Sequence, residues 1–369
     1  MPAMENPRGH VLVAGVSGVV GLAAARHFAA LGWDVTGLSR RRPPRLDDVP
    51  HLAVDLNDRE ATARAGTELG DVTHLVYAAL FEKPGLVAGW FEADQMQRNL
   101  AMLENLYESL SESADLHHIS VLQGTKAYGA HVEAMAVPGR ERNARHQHEN
   151  FYWLQEDYLR RQQADGASWA LTILRPQVIY GEAQGGNMNA LPALGVYAAL
   201  LRAAGHPLHW PGGIAPISEA VDADLVAKML AWAAVEPSAA NETFNVTNGD
   251  IYSLRNVWPV LADAFGMEVG DDVPLSLAAA LPGREDEWAG LVERFGLSAP
   301  PSLEAFVGQS FIYADLMLGF GQRSARSPAL VSTIKARQAG FADCVDTEDM
   351  FTRLIAAFQE ARLLPPSRW

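Results

Sequence analysis

Short apolar runs alternate with helically spaced apolar residues along the first half of the chain. Residues 10–14 (His-Val-Leu-Val-Ala) predict a buried strand that ends at a glycine, and Val20, Ala24 and Phe28 follow at the spacing of one helix face. Further strands are predicted at residues 34–39, 51–55, 73–79, 117–122, 169–175 and 241–248, and further helices at 96–110, 151–163, 190–204 and 222–234. This alternation is typical of α/β proteins, so we expect a doubly wound parallel sheet (Rossmann-like).

The alternation weakens past residue 181. From about residue 249 onwards the pattern is mainly helical and is broken by Pro274, Pro282 and Pro300. We therefore expect two parts, each assembled from two stretches of chain. Residues 1–182 plus about 214–248 form the dinucleotide-binding domain, and about 183–213 plus 249–369 form a smaller, mainly helical C-terminal substrate-binding lobe.

Composition and charge exclude several classes of partner. The 369 residues are 49% hydrophobic and carry a formal net charge of −15. Because a nucleic-acid backbone or an anionic membrane needs a basic face, we expect no nucleic acid and no membrane as partners. Cys344 is the only cysteine and the first ten residues contain no apolar run of the signal-peptide kind, which favours the cytoplasm.

Three glycines follow the first predicted strand and open the first predicted helix. Gly15, Gly18 and Gly21 form a Gly-x-x-Gly-x-x-Gly motif in the strand-to-helix context that a dinucleotide-binding loop requires. Glycines allow a tight turn there and let backbone N–H groups approach a pyrophosphate. The alternative is a glycine-rich turn without a ligand.

Basic residues follow the second predicted strand, where enzymes that use NAD carry an acid. The chain reads Ser39-Arg40-Arg41-Arg42 at this point, and Asp34 stands at the wrong end of the strand. Because guanidinium groups bind a 2′-phosphate bidentately, NADPH is the expected cofactor. A solvated basic turn is the alternative. Asp55 and Leu56, after the third strand, are expected to contact the adenine edge.

Two segments carry the candidate chemistry. Residues 123–129 read Gln-Gly-Thr-Lys-Ala-Tyr-Gly, and residues 150–157 read Asn-Phe-Tyr-Trp-Leu-Gln-Glu-Asp. A Tyr hydroxyl supported by an ammonium group can stabilise a developing oxyanion, which makes Tyr152 and Lys126 the candidate catalytic pair. The alternatives are an ion pair or ribose contact for Lys126 and a half-buried helix aromatic for Tyr152.

Over its whole length the chain resembles the extended short-chain dehydrogenase/reductase superfamily, and within it the progesterone 5β-reductase and iridoid synthase-like group of enone reductases. The segments that carry this resemblance are residues 15–21, 39–43, 124–128, 150–157, 175–176, 179–181, 196–199, 222–224 and 244–249. The resemblance implies that Lys126 and Tyr152 carry catalysis. Other short-chain reductases place a Lys four residues after the Tyr, whereas none of the nine tyrosines here has one, and Tyr152 has Glu156 there. The group often has a second Tyr where this chain has Trp153.

On this interpretation the protein is an NADPH-dependent oxidoreductase that performs 1,4-reduction of the C=C bond of α,β-unsaturated carbonyl compounds. Its expected cofactor contacts are Gly15, Ser17, Gly18, Val19, Gly21, Ser39, Arg40, Arg41, Asp55, Leu56, Ala78, Gln123, Tyr152 and Val178. The expected partner is a small-molecule enone or enal, and a homodimer is possible. The alternatives are an NADP-dependent carbonyl reductase or epimerase, which the missing Tyr-x-x-x-Lys disfavours, and a non-catalytic NADP(H)-binding regulator.

Two further groups of residues are interpreted as structural. His117 and His118 are adjacent on a predicted strand, so their side chains point to opposite faces and we expect no metal site. A set of aromatic and methionine residues either lines an apolar pocket or packs in the core, and the sequence leaves both open: Met188, Trp210, Phe311, Met317 and Phe320.

Overall fold

Eleven β-strands and thirteen α-helices form the described part of the chain, residues 9–86 and 88–369 of a computed structural model. The strands are β1 (His10–Ala14), β2 (Asp34–Ser39), β3 (His51–Ala53), β4 (Val72–Tyr77), β5 (His118–Leu122), β6 (Ala170–Pro176), β7 (Val178–Tyr180), β8 (Leu208–Trp210), β9 (Ala220–Asp222), β10 (Thr243–Val246) and β11 (Val269–Asp272). The helices are α1 (Val19–Ala30), α2 (Arg59–Gly66), α3 (Ala93–Ser113), α4 (Phe151–Ala164), α5 (Ala190–Ala203), α6 (Ala223–Ala233), α7 (Leu254–Ala264), α8 (Leu277–Ala280), α9 (Glu285–Phe295), α10 (Leu303–Val307), α11 (Ser310–Leu318), α12 (Ile334–Gln338) and α13 (Thr347–Glu360).

Seven strands form one parallel sheet in the spatial order β3-β2-β1-β4-β5-β6-β10. His10 of β1 pairs with Asp34 of β2 on one side and with Val72 of β4 on the other. The strand order therefore reverses between β1 and β4, which leaves a crevice outside the carboxyl ends of the strands at that point. This topology confirms the expected doubly wound, Rossmann-like fold.

The sheet is buried on both faces, which explains why its strands read as continuous apolar runs. Val11 and Val13 of β1 join the hydrophobic cluster on one face, where α1 packs against α6. Leu12 and Ala14 join the cluster on the other face, together with side chains from α3. Since alternate side chains enter different cores, the four positions from Val11 to Ala14 all favour an apolar residue.

A third and larger cluster lies in the part of the chain rich in helices. It gathers buried side chains from α5, from α7 to α11 and from α13, with Trp210, Trp258 and Trp288 among the most enclosed. Two small parallel pairs, β7 with β9 and β8 with β11, lie outside the main sheet. The division into two domains stays a prediction, which this grouping of the buried residues supports.

The apolar pattern did not predict every element. Helix α2 buries only Thr62, Ala65 and Gly66, too small a face to stand out in the sequence. Strand β3 ends at Ala53, two residues before its predicted end.

Among the described residues no helix combines the length and the apolar character needed to cross a bilayer. The expectation about the first ten residues concerns mainly residues 1–8, which lie outside the described part.

Candidate active site

Two of the three glycines of the loop after β1 are required by a close backbone approach. Gly15 has φ +85°, and a Cβ there would lie 2.6 Å from the carbonyl group of Ala78. A Cβ on Gly21 would lie 2.2 Å from the Gly15 carbonyl oxygen, so only glycine lets α1 begin this close to the loop. Gly18 caps α1, and its own N–H donates to the Gly15 oxygen at 2.9 Å.

The N-terminus of α1 faces the crevice with its backbone groups available. No side chain from the described residues caps this helix, and Ser17 and Gly18 are exposed. Val19 packs against Gly181, where an added Cβ would lie 2.8 Å from the valine side chain. Exposed N–H groups at a helix N-terminus form an anion site, so the loop fits a dinucleotide pyrophosphate.

The end of β2 presents two exposed guanidinium groups. The Ser39 hydroxyl is buried and donates to the Arg41 carbonyl oxygen at 2.8 Å, which shapes the turn. The Arg42 guanidinium donates to the Asp47 carbonyl oxygen at 2.7 Å. Within residues 9–86 and 88–369, no side-chain hydrogen bond or ion pair engages the guanidinium groups of Arg40 and Arg41. These two residues remain available to a phosphate, whereas Ser39 orders the turn that carries them.

The remaining predicted cofactor residues lie at the carboxyl ends of neighbouring strands. Asp55 is exposed after β3 and accepts from the Asn57 N–H at 3.0 Å, and this bond, aided by the Arg40 charge, lowers the pKa of the Asp55 carboxyl. Leu56 is buried beside it. Ala78 follows β4 and Val178 begins β7, so the structure brings these residues to one edge of the sheet.

Lys126 lies in a 3₁₀ turn, Thr125–Tyr128, directly after β5. Gly129 ends the turn with φ +75°, and the next strand of the sheet, β6, runs alongside β5. The Lys126 side chain is only partly exposed, and its Nζ lies 3.6 Å from the Met188 Sδ. The end of β5 therefore delivers an ammonium group into the crevice.

Tyr152 lies in the first turn of α4 and points toward the end of β5. A Cβ on Gly124 would lie 3.6 Å from the Tyr152 hydroxyl. Because Gly124 has no side chain, this position places no hydroxyl group beside the phenol. Burial raises the pKa of the Tyr152 phenol, which keeps it protonated as a hydrogen-bond donor.

Asn150 joins the two candidate catalytic residues. Its side-chain oxygen accepts from the Tyr152 N–H at 3.0 Å as the N-cap of α4, and its Nδ2 donates to the Lys126 carbonyl oxygen at 3.1 Å. Asn150 is 3% exposed, so this bridge is shielded from water. The Asn-Phe-Tyr segment therefore orients the backbone of both residues.

Trp90 and Glu82 complete the surroundings of Lys126, and the sequence reasoning missed both. The Lys126 Nζ lies 3.8 Å from the centroid of the Trp90 ring, and the Tyr152 ring packs edge-on against the same indole with centroids 5.4 Å apart. The Trp90 Nε1 donates to Glu82 Oε1 at 3.0 Å. No spacing in the sequence marks these residues, because the segments that meet are far apart along the chain.

Gln123 and Glu156 link the strand ends to α4. The Gln123 Nε2 donates to Glu156 Oε2 at 3.0 Å, and the Arg175 Nε donates to Gln123 Oε1 at 2.9 Å. Glu156 also accepts from the Arg160 Nε at 3.0 Å. Glu156, four positions after Tyr152, thus belongs to a structural network. Through the same contacts the Gln123 side chain links α4 to the sheet.

Several other candidates are structural. His118 is buried against Thr172, with 2.9 Å between His118 Nε2 and Thr172 Oγ1, whereas His117 is exposed. No group of residues suited to a metal ion occurs in the described part of the chain. Trp210 and Phe311 pack in the third hydrophobic cluster. Met188, another candidate for the apolar pocket, contacts Lys126.

A separate cavity of about 310 Å³ lies away from these residues. It is lined by Pro44, Arg45, Gln184, Ser298 and the segment 360–363. The Arg45 Nε is paired with Glu182 at 2.9 Å, and the lining contains no acid and base pair comparable with Lys126 and Tyr152. The chemistry is therefore concentrated at the ends of β5 and α4.

The chain is similar to known proteins over most of its length. A profile of the NAD dependent epimerase/dehydratase family matches residues 11–247. The (S)-8-oxocitronellyl enol synthase of Camptotheca acuminata is 30% identical over 376 residues, which span 96% of this chain and 93% of the relative. The 3-oxo-Δ(4,5)-steroid 5β-reductase of Arabidopsis thaliana is also 30% identical, over 96% of this chain and 92% of its own.

Solved structures share the fold at lower identity. UDP-glucose 4-epimerase of Thermus thermophilus, in complex with NAD, has a TM-score of 0.65 at 18% identity and covers 95% of this chain and 99% of its own. An epimerase-like protein of Burkholderia cenocepacia has a TM-score of 0.64 at 22% identity, over 96% and 99% of the two chains. The glycine loop and this fold support a nicotinamide dinucleotide as the cofactor. The chain belongs to the NAD dependent epimerase/dehydratase family of short-chain dehydrogenases/reductases, in the group that contains progesterone 5β-reductase and iridoid synthase.

Proposed function

We propose that this protein is an NADPH-dependent oxidoreductase that reduces the C=C bond of α,β-unsaturated carbonyl compounds. The observation that carries the proposal is the meeting of Lys126 and Tyr152 at the carboxyl end of β5, where a nicotinamide would lie beside them. The 30% identity to a 3-oxo-Δ(4,5)-steroid 5β-reductase and to (S)-8-oxocitronellyl enol synthases supports the same reaction class.

Tyr152 stabilises the negative charge that forms during the reduction. A nicotinamide bound here would supply a hydride to the β-carbon of the enone, which would leave the electron pair on the carbonyl oxygen as an enolate. The protonated Tyr152 phenol donates a hydrogen bond to that oxygen, a contribution worth about 3–4 kcal/mol for a well-placed donor. The enolate then takes a proton at its α-carbon from solvent.

Lys126 supplies a positive charge beside the phenol. Burial lowers the pKa of Lys126 to about 8, and the nearby carboxylate of Glu82 opposes that shift. The ammonium is thus charged at neutral pH, although its surroundings are apolar. A cation here strengthens the electrostatic stabilisation of the oxyanion and gives the ribose a donor.

The proposed choice of NADPH rests on Arg40 and Arg41, whose guanidinium groups are exposed beside the glycine loop. The N–H groups of Ser17, Gly18 and Val19 would hold the pyrophosphate, and Tyr152 and Val178 would contact the ribose and the nicotinamide. The C-terminal lobe, about residues 183–213 and 249–369, supplies the rest of the substrate pocket, beginning with Met188.

NADPH oxidation followed at 340 nm tests this function. A panel of cyclic and linear enones is compared with the saturated ketones of the same skeletons. We expect oxidation with the enones and a saturated carbonyl as product. Alcohol formed from the saturated ketones would show carbonyl reduction instead, and NADPH binding without turnover of any enone would contradict the proposed activity.

A further inference from the structure

Glu82, Trp90 and Lys126 form a continuous line of contacts that ends at the proposed reaction centre. The Trp90 Nε1 donates to Glu82 Oε1 at 3.0 Å, and the face of the same indole carries the Lys126 Nζ at 3.8 Å from the ring centroid. Trp90 is 3% exposed. The carboxylate therefore fixes the in-plane orientation of the ring on which the ammonium rests.

One loop contacts both Glu82 and Lys126, the two ends of this line. The Asn187 Nδ2 donates to Glu82 Oε2 at 3.4 Å, and the adjacent Met188 places its Sδ 3.6 Å from the Lys126 Nζ. Because Asn187 and Met188 are consecutive, a shift of Glu82 also shifts the thioether that packs against Lys126. These contacts link the Glu82 carboxylate to the Lys126 ammonium, although no direct ion pair joins the two groups within the described residues.

The charges around Lys126 give this coupling an electrostatic part. Glu82 is the acidic group among them, while Tyr152 from α4 and His131 from the segment after the 3₁₀ turn face the ammonium as neutral groups. Burial, aided by the Glu82 charge, raises the pKa of Tyr313 in α11, so this phenol is also neutral. Burial raises the pKa of Glu82, but Lys126 and the two N–H donors oppose that shift by favouring the carboxylate.

We propose that Glu82 is a positioning residue that, through Trp90, holds Lys126 in place and in its charged form. In this proposal Glu82 acts on Lys126 through its bond to Trp90. Its consequence for turnover rests on the proposed function, whereas its effect on the protonation of Lys126 does not. The two effects are therefore measured separately.

The protonation of Lys126 is measured directly by competitive labelling of the intact protein with trace acetic anhydride across pH. Only the neutral amine reacts, and the chain has only four lysines, so each labelled peptide is assigned by mass spectrometry. In Glu82→Gln we expect the labelling midpoint of Lys126 to fall by about 1 pH unit, because an attractive negative charge is lost. Glu92→Gln is the matched control: Glu92 pairs with Lys83, so the Lys83 midpoint falls and that of Lys126 stays.

Turnover supplies the second readout. In Glu82→Gln the basic limb of the kcat/KM profile moves to lower pH together with the labelling midpoint, whereas a loss of packing alone lowers activity equally at every pH. Trp90→Phe keeps an aromatic face but removes the N–H donor, and we expect a smaller shift in the same direction.

An unchanged Lys126 midpoint in a folded Glu82→Gln protein overturns the inference, even if enones are reduced. A shifted midpoint without enone turnover overturns the proposed function and leaves the inference standing.

Discussion

The side-chain amide of Asn150 donates to the backbone carbonyl oxygen of Lys126 at 3.1 Å. The oxygen of the same amide caps α4 at the Tyr152 N–H. One side chain thus sets the distance between the turn after β5 and the first turn of α4. Reductases that carry Tyr and Lys on one helix need no such bridge, because helical spacing fixes that pair.

Asn150→Ala removes this bridge. We expect a loss of about 1 kcal/mol in the free energy of unfolding, as for other N-caps, and at least a tenfold loss of kcat because Tyr152 and Lys126 separate. Denaturant unfolding and steady-state kinetics measure the two effects. Asp58→Ala removes the cap of α2, far from the site, and should cost similar stability with kcat unchanged. Equal kcat losses in the two variants would contradict the positioning role.

Tyr152→Phe removes the proposed oxyanion donor while keeping the ring against Trp90. We expect kcat to fall about 100- to 1,000-fold, the usual effect of losing one such donor, with the Kd for NADPH nearly unchanged. Turnover assays and fluorescence titration with NADPH measure the two quantities. Tyr158→Phe makes the same change in a buried part of α4 and should retain activity. Parallel losses of turnover and NADPH affinity in Tyr152→Phe would count against the oxyanion role.

The two exposed arginines after β2 are expected to select NADPH over NADH. In the double variant Arg40→Ala and Arg41→Ala, affinity for NADPH should fall about 10- to 100-fold, since charge-assisted hydrogen bonds to the 2′-phosphate are lost. Affinity for NADH should not change. Arg42→Ala is the control, because the Arg42 guanidinium is bonded to the Asp47 carbonyl oxygen. Equal losses for both cofactors would mean that these residues do not contact the 2′-phosphate.

Buried His118 should make the protein sensitive to acid. Burial, followed by the charge of His74, lowers the pKa of His118 to about 3. The unfolded chain therefore binds a proton below about pH 6.5 that the folded chain does not, and stability falls as pH drops from about 6.5 toward 3. His118→Gln should reduce this slope by up to about 1.4 kcal/mol per pH unit.

The test compares the free energy of unfolding at several pH values between 4 and 7. His117→Gln is the matched control, because the same substitution then falls on an exposed side chain next to the buried one. His74, whose pKa burial lowers to about 4, adds a contribution of the same sign, so His118→Gln removes only part of the slope. If the free energy of unfolding of His118→Gln depends on pH as steeply as that of the unmodified protein, buried His118 is not a source of the acid sensitivity.

The sequence predicted the fold well where local pattern and burial coincide. Strand β1 alternates between two apolar cores, so its run of Val and Leu marks it clearly. Helix α2 buries one narrow face and leaves no such mark. The glycines at 15 and 21 are recognisable because a backbone contact excludes every other residue at each position.

The candidate site was predictable only in part. Lys126 and Tyr152 are carried by short motifs, and the structure places both at the end of β5. Trp90 contacts Lys126 and Glu82 bonds to Trp90, and both contacts depend on how distant segments fold together, so no spacing along the chain reveals them. Glu156 occupies the position of the usual lysine, and only its bonds to Gln123 and Arg160 show that it is structural.

The fate of the transferred hydride tests the account most directly. A cyclic enone is reduced with NADPH that carries deuterium at the transferable C4 position, and the product is examined by NMR spectroscopy. Hydride addition to the C=C bond predicts deuterium at the β-carbon of a saturated ketone, with the solvent proton at the α-carbon. Deuterium at the carbonyl carbon of an allylic alcohol would contradict the account, because Lys126 and Tyr152 would then support carbonyl reduction.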